Sequence, residues 1–127
     1  MLLTRQQIVD ADDLPTKDVN VPEWGGTVRV KTMTALEKDK WEISCLTDDK
    51  KSNLEAMRAK LAAHTIVDES GQRLFTEFDV EKLAAKSAKA IERIYNIAQK
   101  LNGISDKDLK DMEKNFAAIQ NADSPSV

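Results

Sequence analysis

Few residues in this chain are of types that make or break bonds, and their spacing argues against most of the chemistry they might do. There is one histidine, His64, and one cysteine, Cys45. A nucleophilic thiol needs a base beside it. Nothing in the spacing of these two brings them together, and His64 falls on an apolar helix face, where a structural histidine is the default reading. One histidine and one cysteine also fall short of a zinc set. Asp48-Asp49 and Asp68-Glu69 are acidic pairs of the kind that line hard-cation sites, yet neither has the regular ligand spacing of a calcium loop, so both read as solvated turn acids. Gly25-Gly26 lacks the strand-to-helix context of a phosphate cradle and reads as a hairpin turn. Lys50, Lys51 and Arg58 would have to be gathered in three dimensions before they made a basic face for nucleic acid. The sequence therefore points to no catalytic, cofactor or metal site and to no small-molecule substrate.

What remains is a set of apolar side chains suited to contact with protein. Trp24 lies in a loop beside two glycines. Either it folds back over a hairpin and staples it to a helix, or it protrudes as an interface anchor, a role tryptophan often fills. Trp41 and Cys45, four apart, form one ridge of a helix whose other side carries Leu36, Ile43 and Leu46. Two ridges on one short helix imply a second packing partner inside the domain or a contact between subunits, and Trp41 itself reads as core. Leu109, Met112, Phe116 and Ile119 fall within an arc of about 80°, a narrow seam that either docks on the same molecule or serves as a partner-binding helix.

Local patterns place these residues on elements. Thr4 with Gln7 is a capping-box pattern and predicts a short helix from about Arg5 to Ala11, closed by Pro15. Val19 and Val21, then Val28 and Val30, alternate with polar residues around PEWGG, which predicts a hairpin of about Asp18 to Val21 with Thr27 to Lys31. A lone two-stranded ribbon is marginal in water, so it must lean on helices or pair with another chain. Thr34 with Glu37 opens a helix to about Leu46, and Ser52 with Glu55 opens another towards Thr65, its buried face Leu54, Met57, Leu61 and His64. Asp68 to Gly71 is a turn before Leu74-Phe75. Thr76 with Asp79 caps a short helix with Phe78, Leu83 and Val80 inward.

The longest pattern follows. Ser87 caps a helix whose Ala88, Ala90, Ile91, Ile94, Tyr95, Ile97, Ala98 and Leu101 share one half of the wheel, and Gly103 reads as its left-handed stop. An apolar arc of roughly 180° exceeds what a surface helix needs, so this helix is expected to be central, with neighbours on more than one side. Ser105 with Asp108 opens the final helix. The expected fold is mainly α, a compact bundle of about five to six helices with one small N-terminal β-hairpin. Residues 1–120 form a single domain in this reading, and residues 121–127 a flexible tail.

Composition narrows the classes further. The chain has 127 residues, 41% hydrophobic and 32% charged, with a net charge of −3 and no dense run of one sign. That suits one globular domain and disfavours a phosphate-backbone binder. No apolar run approaches the roughly 20 residues that span a bilayer, and the start shows no signal-peptide core. A cytoplasmic location, with no membrane partner, is the expectation, and a lone cysteine agrees with it.

The order of features carries a resemblance. DDLPTKDVNVPEWGG, then TVRVKTMTALEKDKWE, then VDESGQRLF, then EKLAAKSAKAIERIYNIAQKLNGIS resembles the tail assembly chaperones of long-tailed phages with flexible tails, over about Asp12 to Ser105. The resemblance implies a small, mostly helical, non-enzymatic protein of the host bacterial cytoplasm, absent from the mature virion. It would self-associate, bind the tape measure protein and keep it soluble, and help tail tube subunits polymerise around it. It also implies a longer form made by ribosomal frameshift, whose extra domain recruits the tail tube protein, this chain being the short form. The family has no shared catalytic motif, so no residue role carries over. The alternatives are a small phage or prophage regulatory or nucleic-acid-binding module, and an enzyme completed by dimerisation.

Overall fold

Val19 and Val21 turn to one side of a ribbon, and across it Val28 and Val30 do the same, which gives the ribbon one apolar face to bury. The computed structural model describes residues 1–45, 56–105, 107–108 and 110–111. In it, β1 (Thr16–Val21) and β2 (Gly26–Lys31) pair antiparallel in the register Thr16↔Lys31 to Val21↔Gly26. The connection is a 3-10 turn over Pro22–Trp24, and Gly25 closes it at φ 70, a left-handed conformation that glycine adopts without steric cost.

The ribbon does not stand alone, and this is the main addition to the expected fold. A third strand, β3 (Ile66–Val67), pairs with β2 through Val30↔Ile66 and Arg29↔Val67, giving the order β1-β2-β3. Val67 in turn bridges Arg73 across the turn at Asp68 to Gly71. One Asp68 carboxylate oxygen organises that turn by accepting from the Ser70 backbone, the Ser70 hydroxyl and the Gln72 backbone.

Five α-helices lie among the described residues: α1 (Arg5–Asp10), α2 (Ala35–Ser44), α3 (Met57–Thr65), α4 (Val80–Ala84) and α5 (Ala88–Leu101). Their starts follow local chemistry. Reciprocal capping boxes form at Thr4/Gln7 and Thr34/Glu37, and Ser87 accepts from the Ala90 backbone at the start of α5. Thr76/Asp79 makes the same box, but it opens a 3-10 turn over Glu77–Asp79 that leads into α4. Ser105 and Asp108 cap each other as well. Ser52, Leu54, Glu55 and the tail lie outside the described residues.

One apolar core holds these elements together, and α5 is its axis. Ala90, Ile91, Ile94, Tyr95 and Ala98 are buried, with Ile97 and Leu101 packed at the margin. The helix meets α3, α4, both hairpin strands and the turn between them. Burial in α3 extends around the helix, from Ala59 and Leu61 to Thr65, as expected of a helix covered on several sides. Three expectations need correction or resolution. Phe78 is not inward: it is 92% exposed, because a single 3-10 turn leaves Leu83 and Val80 to face the core. Of the two ridges on α2, Trp41 and Cys45 are fully buried, whereas Leu36 and Ile43 face solvent. The hairpin also gains β3 as a partner within the chain.

Asn102 ties the far end of α5 to the sheet. Its side-chain oxygen accepts from the Met33 backbone at 2.6 Å, and its amide donates to the carbonyls of Ala98 (2.9 Å) and Lys31 (3.4 Å). Met33 joins β2 to α2, so one amide fixes three elements. Asn102→Ala leaves these half-buried groups without that partner and is expected to cost roughly 1–3 kcal/mol. Urea denaturation checks this, and an unchanged midpoint would show that the tie carries no stability.

Candidate interaction surfaces

The thiol and the imidazole are both sealed inside the fold. Cys45 is fully buried and its thiol is pushed above its ordinary range by desolvation, so it stays protonated. His64 is also buried, at the C-terminal end of α3, and its Nδ1 has no hydrogen-bond partner among the described residues. Burial first, then the Arg73 guanidinium, holds its pKa below the ordinary histidine value, while Glu77 and Glu37 pull the other way. Arg73 itself donates from Nε to the Ala63 carbonyl at 3.0 Å. Among the described residues, no group of three or more His, Cys, Asp or Glu side chains is placed to hold a metal ion. No helix among them is long and apolar enough to cross a membrane. Of the basic trio weighed for nucleic acid, Lys50 and Lys51 lie outside the described residues, and Arg58 stacks 5.6 Å above the Tyr95 ring.

The surface that does stand out is built around Trp24. The 3-10 turn that carries it is clamped to α5 by Glu23, whose carboxylate accepts from Arg93 Nε at 2.9 Å and Nη2 at 3.1 Å. These hydrogen bonds hold the Glu23 carboxyl below the usual range. Trp24 is thereby neither of the two simple alternatives. It is 36% exposed, stapled to the body through its neighbour yet open along one side.

It forms one wall of an open groove of about 380 Å³, lined by Trp24, Phe75, Leu83, Lys82 and Lys86, mostly through apolar atoms. Each wall has a local cause. Phe75 follows Leu74, whose backbone donates to the Ile66 carbonyl and so extends the sheet beyond β3. Leu83 is the inward residue of α4, and Lys82 and Lys86 flank it on the solvent side. Leu74 and Phe78, from the same stretch of chain, expose further apolar surface.

Of the residues singled out from sequence, Trp24 lies at this groove. Trp41 and Cys45 lie together in the core, with no surface offered by the isolated chain. Leu109, Met112, Phe116 and Ile119 lie outside the described residues. Sequence reasoning missed Phe75 and Phe78 as surface. The available signal was the shortness of the elements between Thr76 and Ser87, too brief for a helical stripe to bury every apolar residue.

His64 yields a test of the buried arrangement. A histidine whose folded pKa is depressed binds its proton more readily in the unfolded chain, so stability is fullest above about pH 6.5 and falls as pH drops through that value. Denaturation midpoints between about pH 7.5 and 5.5 are expected to decline for the parent and to decline less for His64→Gln. Parallel profiles would show that His64 is not the group responsible.

Comparison with known proteins adds the lineage. Residues 5–115 match the family model described as phage tail assembly chaperone. No curated protein matches the chain. Among solved structures, that of the bacteriophage HK97 tail assembly chaperone is similar, with a TM-score of 0.56 and 22% identity, covering 80% of this chain and 95% of that one. At that identity the likeness is one of fold.

Proposed function

This chain belongs to the phage tail assembly chaperone family, and from that premise we propose that it self-associates and sheathes the tape measure protein, keeping it soluble while tail tube subunits polymerise around it. The observation that carries the reading is the apolar groove at Trp24, with Phe78 exposed nearby in sequence, on a chain whose only thiol and only imidazole are buried apart from any such surface. Contacts with protein, and no bond-making, are the chemistry such a surface supports. A client much longer than one such domain would engage many copies, and weak contacts summed along it hold far more tightly than any one of them.

The same reading places the chain in the host cytoplasm during assembly and leaves it out of the finished virion. Recruitment of the tail tube protein falls to a longer, frameshifted form. Residues 1–120 act as one domain in this scheme, with residues 121–127 as the tail. In this scheme the chain works by contact and carries out no catalysis of its own.

Co-expression of the tape measure protein encoded with this chain tests the proposal. The client is expected to be mostly insoluble alone, soluble with the chain, and retained with it in a pull-down. Trp24→Ser with Phe78→Ser, at a half-open and an exposed position, is expected to reduce recovery of soluble client several-fold, with circular dichroism checking that the chain stays folded. A client equally soluble alone sinks the reading.

A further inference from the structure

We propose that residues 2–14 of one copy dock in the Trp24 groove of a second copy, which deepens the self-association read above and rests on it. Every residue from 1 to 14 is exposed. Yet this arm is neither structureless nor polar. Leu3 immediately precedes the Thr4 cap and Ile8 is the fourth residue of α1, the two positions of a hydrophobic staple, and Thr4, Gln7, Gln6 and Asp10 hydrogen-bond among themselves. A six-residue helix is not stable by itself in water. Leu2, Leu3, Ile8, Val9 and Leu14 are therefore apolar side chains left uncovered on a segment that needs a partner to hold its shape.

The groove to be occupied is a neighbour's because in the isolated chain every arm residue lies exposed, and the arm departs at the end of the ribbon away from the groove. Pro15 is pinned at the open end of the ribbon, its carbonyl accepting from the Thr32 backbone at 3.1 Å and hydroxyl at 2.7 Å. Trp24 lies beyond the other end, past Val21 and Gly26. Six residues of strand separate the two by about 20 Å. An arm leaving at one end of a molecule and a groove at the other is the arrangement of a head-to-tail contact, in which each copy gives one arm and receives one.

Charge selects the same pairing. Asp10, Asp12 and Asp13 follow the Ile8-Val9 pair, with Arg5 the arm's sole basic side chain. The groove has an apolar floor in Trp24, Phe75 and Leu83 and a basic rim in Lys82 and Lys86. Apolar side chains entering the floor would set the arm's carboxylates against those ammonium groups, a complementarity that fixes register and opposes entry of basic segments.

Charge reversal in the full chain provides the test, read by sedimentation velocity over a concentration series. Lys82→Glu with Lys86→Glu, and separately Asp12→Lys with Asp13→Lys, are each expected to weaken self-association by at least about tenfold. All four positions are exposed, and Lys82 gives up only a surface ion pair with Asp79 at 3.8 Å, so both chains should remain folded, which thermal unfolding of each reversed chain checks. An equimolar mixture is expected to regain the parent's association, since reversed arms then meet reversed grooves on other copies. Reversed chains that associate like the parent overturn the inference, as does a mixture that stays dissociated, the result expected if each arm lay on its own molecule or if the groove held only a client. A reversed chain that still solubilises the tape measure protein leaves the proposed function standing without the arm. A parent that is monomeric at every concentration overturns both.

Discussion

Everything this fold positions depends on the width of the apolar arc on α5. A helix with a narrow stripe satisfies itself against one neighbour. Here Ile94, Ala90 and Ala98 are fully buried, and the helix meets α3, α4 and the β1-β2 ribbon at once. Alanine at two of those sites keeps the helix surface shallow, so that neighbours can approach closely without leaving voids. The helix then serves as a rail to which loops are fastened. Arg93 fastens the turn bearing Trp24, Asn102 fastens the join between β2 and α2, and Ser87 caps the helix's own start. Shifting α5 would move the groove and the sheet together.

What the amino-acid sequence made legible is what short-range chemistry decides. The boxes at Thr4, Thr34, Thr76 and Ser105 join residues two or three apart, and each forms. The α5 arc was readable because fourteen residues average out local exceptions. Long-range pairing was not. β3 has two residues, follows α3 without a turn signal, and is a strand only because Val30 and Arg29 lie opposite it. Trp41 was legible as core, but what each α2 ridge meets was not, for a similar reason. Both ridges were apolar, and the placement of the helix turns Cys45 inward with Trp41 and leaves Leu36 and Ile43 outward. The groove is composite, drawn from the hairpin turn, the stretch after β3, and α4. No window of sequence contains it.

The molecule thus carries apolar surface in two states. One is closed in a core of ordinary kind, from Val21 through Trp41 to Ile94. The other is open, at the Trp24 groove, at Phe78, along the Leu36 and Ile43 ridge, and on the N-terminal segment. Open apolar surface carries a hazard of indiscriminate association, and rims of charge moderate it. Lys82 and Lys86 stand at the groove, Asp10, Asp12 and Asp13 stand at the arm, and Lys38 to Lys40 follow Leu36. The chain's family, the phage tail assembly chaperones, works with protein partners, and open apolar surface is the kind such contact uses.

An aromatic side chain left half-open binds best when it is already held in place. Ordering a mobile tryptophan at the moment of binding would consume part of the contact's free energy. The double hydrogen bond from Arg93 to Glu23, one residue before Trp24, holds the turn that carries the ring, and the left-handed Gly25 closes that turn on the other side. Glu23 and Arg93 are not among the residues that line the groove, so the clamp leaves open the space a partner would enter. The same logic explains why the ring is held half-open. A fully buried Trp24 would be one more core residue, and a fully exposed one would gain little by binding until it had first been fixed in place.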